Sequence, residues 1–126
     1  MQYVLDTNAV IYYVGGESRA LETMLPLMST DEHTFILPSI VVTELWSGKQ
    51  NPQSVNTDVI EEFMYTLLMF PLDIPLAKSA GQLRRTYNLS LGDAIIAATT
   101  FAFGATLLTR NVRDFKKIPS LQIQTV

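Results

Sequence analysis

The chain has 126 residues, a length typical of one domain, and we expect residues 1–126 to fold as a unit. Its composition, 48% apolar and 17% charged, is sufficient for a packed core and excludes a disordered chain. The absence of cysteine excludes disulfide scaffolds, thiolate metal sites and a cysteine nucleophile. The sequence shows neither a signal peptide nor an apolar run of the ~18–20 residues that span a bilayer, which predicts a cytoplasmic protein without membrane contact.

The charges are distributed unevenly along the chain. Residues 1–75 carry ten acids and two bases (net −8), and residues 76–126 carry seven bases and two acids (net +5), which together give −3. This negative total argues against binding of nucleic acid by bulk electrostatics. The uneven distribution favours a ligand that contacts both acidic and basic residues, such as a phosphodiester at a metal site.

Short apolar runs alternate with longer helical patterns. The predicted strands are 3–5, 35–37, 70–72, 106–109 and 121–125, and the predicted helices are 8–14, 18–28, 40–47, 58–68, 75–87 and 91–103. Ser39 and Ser90 are predicted N-caps, Gly48 and Gly104 end helices, and the polar segment 49–57 is predicted to be a mobile loop. The alternation predicts an α/β fold with a short central parallel sheet flanked by helices.

Parallel sheets bind their ligands outside the carboxyl ends of the strands. Asp6 directly follows the first predicted strand, and Arg110 and Asn111 follow the fourth. These positions are therefore the first candidates for a functional site.

Four acidic residues lie near predicted element starts or on an apolar helix. Each has an ordinary structural interpretation: Asp6 as a helix N-cap, Glu44 at the edge of an apolar stripe, Asp93 in a capping box, and Asp114 in a solvated turn. Together they favour a site for Mg²⁺ or Mn²⁺, which prefer carboxylate oxygens and water. His33 is the only histidine and is predicted to lie in an exposed loop, so a Ser-His-Asp triad and a multi-histidine zinc site are excluded.

Four segments resemble the conserved blocks of PIN-domain ribonucleases, most closely the VapC-type toxins of bacterial toxin–antitoxin pairs. The segments occur in the family's order and spacing over essentially the whole chain: 5–8 (Leu-Asp-Thr-Asn), 43–45 (Thr-Glu-Leu), 91–99 (Leu-Gly-Asp-Ala-Ile-Ile-Ala-Ala-Thr) and 109–115 (Thr-Arg-Asn-Val-Arg-Asp-Phe). The resemblance implies a single PIN-like domain.

The resemblance also implies a catalytic metal site. Asp6, Glu44 and Asp93 match the first three metal-binding acids, and one or two Mg²⁺ ions, or Mn²⁺ in their place, are expected. The family's fourth acid often follows the Thr-Arg pair, where this chain has Asn111. Asp114, three residues further on, is acidic in many relatives, and which of the two positions supplies the fourth ligand stays open.

Further residues receive expected roles from the same comparison. Thr7 and Asn8 are expected to orient Asp6, and Asn111 is expected to support the metal-binding acids as well. Contacts to RNA are expected from three residues of the last block: Thr109, Arg110 and Arg113. Trp46 and Phe115 are candidates for stacking on bases, although aromatic residues at such spacing more often belong to a core or a dimer contact.

The implied function is endonucleolytic hydrolysis of RNA by a metal-activated water, leaving a 3′-hydroxyl and a 5′-phosphate. The implied partners are an RNA substrate, a small antitoxin protein and a second copy of the chain. A PIN-like RNA- or protein-binding module with weakened catalysis is the alternative, because of Asn111. A receiver domain needs paired acids after the first strand and a lysine after a late strand, whereas this chain has one acid, Asp6, and the pair Arg110-Asn111. A haloacid-dehalogenase-like phosphatase needs Asp-x-Asp at residues 6–8, where this chain has Asp-Thr-Asn. Neither class of protein fits well.

Overall fold

A computed structural model describes residues 1–30, 32–48 and 57–126. Within them, five parallel strands form one sheet, and helices follow or separate the strands. The strands are β1 (Gln2–Leu5), β2 (Thr34–Pro38), β3 (Leu68–Phe70), β4 (Thr106–Thr109) and β5 (Ile123–Thr125). The helices are α1 (Thr7–Val14), α2 (Arg19–Met24), α3 (Ser39–Trp46), α4 (Thr57–Met64), α5 (Ile74–Tyr87), α6 (Leu91–Ala102) and α7 (Val112–Phe115), with a 3₁₀ helix over Leu25–Thr30. The predicted α/β architecture is confirmed.

The strand order β3-β2-β1-β4-β5 places β1 at the centre of the sheet. The chain builds the sheet outward from β1 to β3, then returns to the other side of β1 for β4 and β5. The order therefore reverses between β1 and β4, where a crevice opens beyond the carboxyl ends of the strands. Val4 and Leu5 of β1 are fully buried, as are Leu107 and Leu108 of β4, so both strand ends are rigidly held.

Two proline residues account for differences from the predicted elements. The predicted helix 18–28 ends at Met24 and continues as 3₁₀ helix, because Pro26 has no N–H with which to extend the α-helical pattern. The third strand lies two residues earlier than predicted, over Leu68–Phe70, and ends before Pro71.

The predicted caps are confirmed in part. Ser90 caps α6 by accepting the Asp93 N–H at 3.2 Å, and Gly104 follows the helix with φ of 59°. Ser39, in contrast, is the first residue of α3, and Pro38 occupies the cap position without a side-chain hydrogen bond. Residues 49–56 of the predicted loop lie outside the described residues, and Thr57 begins α4.

His33 is not the exposed loop residue predicted from the sequence. Its ring packs edge-on against Tyr3, at 5.0 Å between centroids, and against Phe35, at 6.1 Å. It precedes β2 and is half-buried, because the aromatic pair at the start of the sheet covers it. Among the described residues, we find no helix with the length and apolarity required to cross a bilayer.

Candidate active site

Asp6, Glu44, Asp93 and Asp114 line a single cleft of about 260 Å³. The other lining residues are Thr7, Asn8, Ser90, Ile96 and Asn111. The cleft lies beyond the carboxyl ends of β1 and β4, because Asp6 follows β1 and Asn111 follows β4 by two residues. The fold thus brings together acids that are up to 108 positions apart in the sequence, from Asp6 to Asp114.

Asp6 combines a structural role with a place in the cleft. It is the N-cap of α1, and its Oδ1 accepts the Ala9 N–H at 2.8 Å. The Thr109 hydroxyl donates to its Oδ2. With 4% of its surface exposed, the carboxyl group is held between the ends of β1 and β4 in a fixed orientation.

The electrostatics of the cleft favour a bound cation. Burial, together with the smaller effects of the charges of Asp93 and Glu44, raises the pKa of Asp6 to about 6, although the hydrogen bonds from Thr109 and Ala9 lower it. Burial also raises the pKa of Asp93, to which the charge of Asp114 adds, while Ser90 and Lys117 lower it. A positive ion between these groups would relieve both the desolvation and the mutual repulsion.

Glu44 extends from α3 and is half-buried. Its Oε1 accepts a hydrogen bond from the Thr7 hydroxyl at 3.0 Å. The expected role of Thr7 in orienting Asp6 is therefore wrong, because its hydroxyl is bonded to Glu44. Thr109 contacts Asp6 instead, and the pairing of β1 with β4 places these residues together.

Asn111 and Asp114 form a pair at the rim formed by the start of α7. The Asn111 Nδ2 donates to Asp114 Oδ2 at 3.0 Å, and the Asn111 backbone N–H donates to Thr109 Oγ1 at 2.8 Å. Both side chains line the cleft, so the short helix places Asp114 beside the position that Asn111 occupies.

The residues expected to contact RNA differ in accessibility. Thr109 is fully buried, and its hydroxyl donates a hydrogen bond to Asp6. The prediction that Thr109 contacts RNA directly is therefore wrong. Arg110 does not line the cleft; its Nε donates to the Val126 carbonyl at 2.9 Å, and its guanidinium lies 3.7 Å from the centre of the Tyr12 ring. Arg113 is exposed on α7, where contact with a ligand at the cleft rim stays a prediction.

The two aromatic candidates for base stacking also differ. Phe115 is fully buried and belongs to the core, so it cannot stack on a base. Trp46, at the end of α3, is 49% exposed and remains available for such a contact or for a protein partner.

The donor set fits a hard divalent cation that keeps part of its water shell. In the described part of the chain, no three acidic or histidine side chains are arranged to hold one ion directly. Mg²⁺ is commonly bound through one or two carboxylates and several waters, so a cleft lined by four carboxylates satisfies its preference for oxygen. Each carboxylate oxygen has two lone pairs, so an oxygen that accepts one hydrogen bond can also bind a cation.

Comparison with known proteins gives the family. The family model described as "PIN domain" matches residues 3–121. "Ribonuclease VapC2" of Rickettsia felis is 30% identical over 98% of this chain and 97% of its own length. A solved structure of VapBC2 from Rickettsia felis, bound to a promoter DNA fragment, matches with TM-score 0.84 and 26% identity, covering 100% of this chain and 99% of that one. DNA-bound VapBC from Salmonella typhimurium, at 24% identity, TM-score 0.83 and coverage of 99% and 98%, supports the fold.

The chain therefore belongs to the PIN-domain family and, within it, to the VapC ribonucleases. The resemblance of the four sequence segments to this family is confirmed.

Proposed function

We propose that the protein is a Mg²⁺-dependent endoribonuclease that acts as the toxin of a VapBC-like toxin–antitoxin pair. The observation that carries the proposal is the convergence of Asp6, Glu44, Asp93 and Asp114 on one cleft at the switch point of the sheet. The residues suit one or two Mg²⁺ ions, and Mn²⁺ in their place. The membership of the VapC ribonucleases supports RNA as the substrate.

A divalent ion in this cleft would activate a water and stabilise charge on the phosphodiester, which makes a protein nucleophile unnecessary. Asp6 and Asp93 are the proposed primary ligands, because they come from a strand end and a helix start that the core holds rigidly. Thr109 fixes Asp6 through its hydroxyl, and Asn111 fixes Asp114 through its amide. Arg113 is exposed on α7, and we propose that it contacts a phosphate at the rim.

The proposal predicts that the purified protein cleaves RNA in Mg²⁺ or Mn²⁺ and loses this activity when a chelator is added. The expected products carry a 5′-phosphate and a 3′-hydroxyl, which ligation assays and mass spectrometry distinguish from cyclic phosphates. Restoring Mg²⁺ after chelation should restore cleavage. Equal cleavage in excess EDTA would refute metal dependence, and metal-dependent RNA binding without cleavage would favour the weakened binding module.

A small antitoxin protein is the proposed partner. The similarity to VapBC2 of Rickettsia felis, over the whole chain, supports this assignment. A gene for such a protein next to that of this chain, whose product suppresses the growth arrest caused by this chain, is the expected finding.

We also expect the protein to form a homodimer. Several large apolar side chains between the start of α4 and the start of α5 are exposed, namely Val59 (46%), Tyr65 (69%), Leu68 (49%), Met69 (40%), Leu72 (42%) and Ile74 (72%). Apolar surface of this kind on a small protein favours association, and β3 is an edge strand of the sheet. Sedimentation equilibrium should show twice the chain mass of 14.1 kDa at micromolar concentration. A single 14.1 kDa species throughout that range would contradict the expectation.

A further inference from the structure

The Glu44 carboxylate is enclosed by two neighbouring helices. From α1, the buried Thr7 donates its hydroxyl to Oε1 at 3.0 Å. From α6, Gly92 lies so close that a Cβ at this residue would stand 3.0 Å from Oε1 and 3.3 Å from both Cδ and Oε2. A contact of 3.0 Å is tighter than nine in ten real Cβ contacts, so the carboxylate would have to move by a few tenths of an ångström to admit a side chain at residue 92.

We infer that Thr7 and Gly92 are positioning residues that fix the Glu44 carboxylate in the cleft. Glutamate has three rotatable side-chain bonds, so its carboxylate needs external contacts to stay at one point. Thr7 supplies a directed hydrogen bond, and Gly92 supplies room on the side of α6. This inference rests on the proposed function for its consequence, which is tighter binding of a divalent ion.

Sequence position alone assigns Thr7 to its neighbour Asp6. In the structure, however, the two oxygens of Asp6 accept from Ala9 and Thr109, and the Thr7 hydroxyl is directed at Glu44. The position of the Glu44 carboxylate therefore depends on three helices, α1, α3 and α6, which meet at this residue. Groups that orient metal-binding side chains typically change metal affinity by about 10–100-fold when removed.

The first test compares Thr7→Val, which keeps the shape of threonine without its hydroxyl, with Thr7→Ser, which keeps the hydroxyl. The Kd for Mn²⁺, measured by isothermal titration calorimetry on the full chain, should rise about 10-fold or more in the valine variant. The serine variant should stay within about 2-fold of the original protein. In a Glu44→Ala background, Thr7→Val should add less than about 2-fold, because Thr7 acts through the carboxylate that is missing.

The second test uses Gly92→Ala, with Gly81→Ala as its matched control. Both glycines lie in helices, but a Cβ at Gly81 would meet nothing within 4 Å. Alanine favours the helix at both positions, so neither variant should lower Tm. Only Gly92→Ala should weaken Mn²⁺ binding, by about 10-fold, because its methyl group displaces the Glu44 carboxylate.

A metal-free readout separates this inference from the proposed function. In chelator, the ¹³C resonance of the Glu44 Cδ should shift in Thr7→Val and Gly92→Ala and stay in place in Thr7→Ser and Gly81→Ala. Unchanged resonances and unchanged Mn²⁺ affinity in Thr7→Val and Gly92→Ala would overturn the inference. Shifted resonances in a protein that neither binds Mn²⁺ nor cleaves RNA would support the positioning of Glu44 and refute the proposed function.

Discussion

Asp6→Asn is expected to reduce RNA cleavage by about 1,000-fold or more, which corresponds to about 4 kcal/mol of lost transition-state stabilisation. Asparagine still accepts the Ala9 N–H and caps α1, so the fold should persist. It lacks the negative charge with which Asp6 is proposed to bind a divalent ion. Cleavage of a labelled RNA in Mg²⁺, together with growth arrest on expression in bacteria, measures the effect.

Asp73→Asn is the matched control for this variant. Asp73 caps α5 by accepting the Leu76 N–H at 2.9 Å, with backbone angles close to those of Asp6, but it does not line the cleft. The Asp73→Asn variant should retain full cleavage.

Asp93→Asn should reduce cleavage as much as Asp6→Asn does, whereas Asp114→Asn should reduce it less, because water can replace a peripheral ligand of Mg²⁺. An Asp114→Asn variant as inactive as Asp6→Asn would show that Asp114 is a primary ligand, and an active Asp6→Asn variant would refute the metal-nuclease proposal.

The second large effect concerns stability in the absence of metal. The folded protein holds the Asp6 proton more tightly than the unfolded chain does, because burial raises the pKa from 3.8 to about 6. The protonated Asp6 contributes its full stabilisation below its pKa in the unfolded chain. This stabilisation is lost as the pH rises through its pKa in the folded protein, mainly between pH 4 and 7. Each pKa unit corresponds to about 1.4 kcal/mol, so ionisation of the buried Asp6 carboxyl lowers the free energy of unfolding by about 3 kcal/mol at neutral pH.

Asp6→Asn removes this cost and should therefore be more stable than the unchanged protein in chelator at neutral pH. The expected gain is about 1–3 kcal/mol, since the asparagine amide replaces the hydrogen bond from Thr109 imperfectly, and it should shrink towards zero near pH 4. Mg²⁺ should reverse the order by stabilising the unchanged protein alone. Thermal unfolding with and without EDTA at both pH values measures this, and an Asp6→Asn variant less stable in chelator at neutral pH would contradict it.

The sequence was most informative about the sheet and the acids that follow it. Apolar runs flanked by helical patterns predicted β1, β2 and β4 closely, since a buried parallel strand has few alternatives to a continuous apolar sequence. The edge strands β3 and β5 are largely exposed, and their predicted bounds were less accurate. The rule that ligands bind beyond the carboxyl ends of parallel strands then selected Asp6, Arg110 and Asn111. Asp6 and Asn111 do line one cleft, and Arg110 does not. Asp93 and Asp114 were candidates only as members of a group of four acids, because the local sequence of each also fits an ordinary capping or turn residue.

The partners of the site residues could not be predicted, since hydrogen bonds between distant elements leave no local pattern. Thr109 ends a strand and gives no sign of its bond to Asp6, 103 positions earlier. Thr7 is adjacent to Asp6 in sequence but faces Glu44, because successive residues of a helix point in different directions. His33 was predicted to be exposed because its neighbours in the sequence are polar, and only its packing against Tyr3 and Phe35 buries it in part. For Phe115, the core position that the sequence analysis considered the commoner one is the position observed.

The most direct test of the account is a crystal structure of the protein grown with Mn²⁺ and measured at a wavelength where manganese scatters anomalously. We expect an anomalous peak in the cleft lined by Asp6, Glu44, Asp93 and Asp114, within direct or water-bridged reach of Asp6 and Asp93. The same experiment on Asp6→Asn crystals should show no peak there. A cleft without anomalous density in the unchanged protein at millimolar Mn²⁺, or an ion bound only elsewhere, would contradict a metal-dependent nuclease centred on these carboxylates.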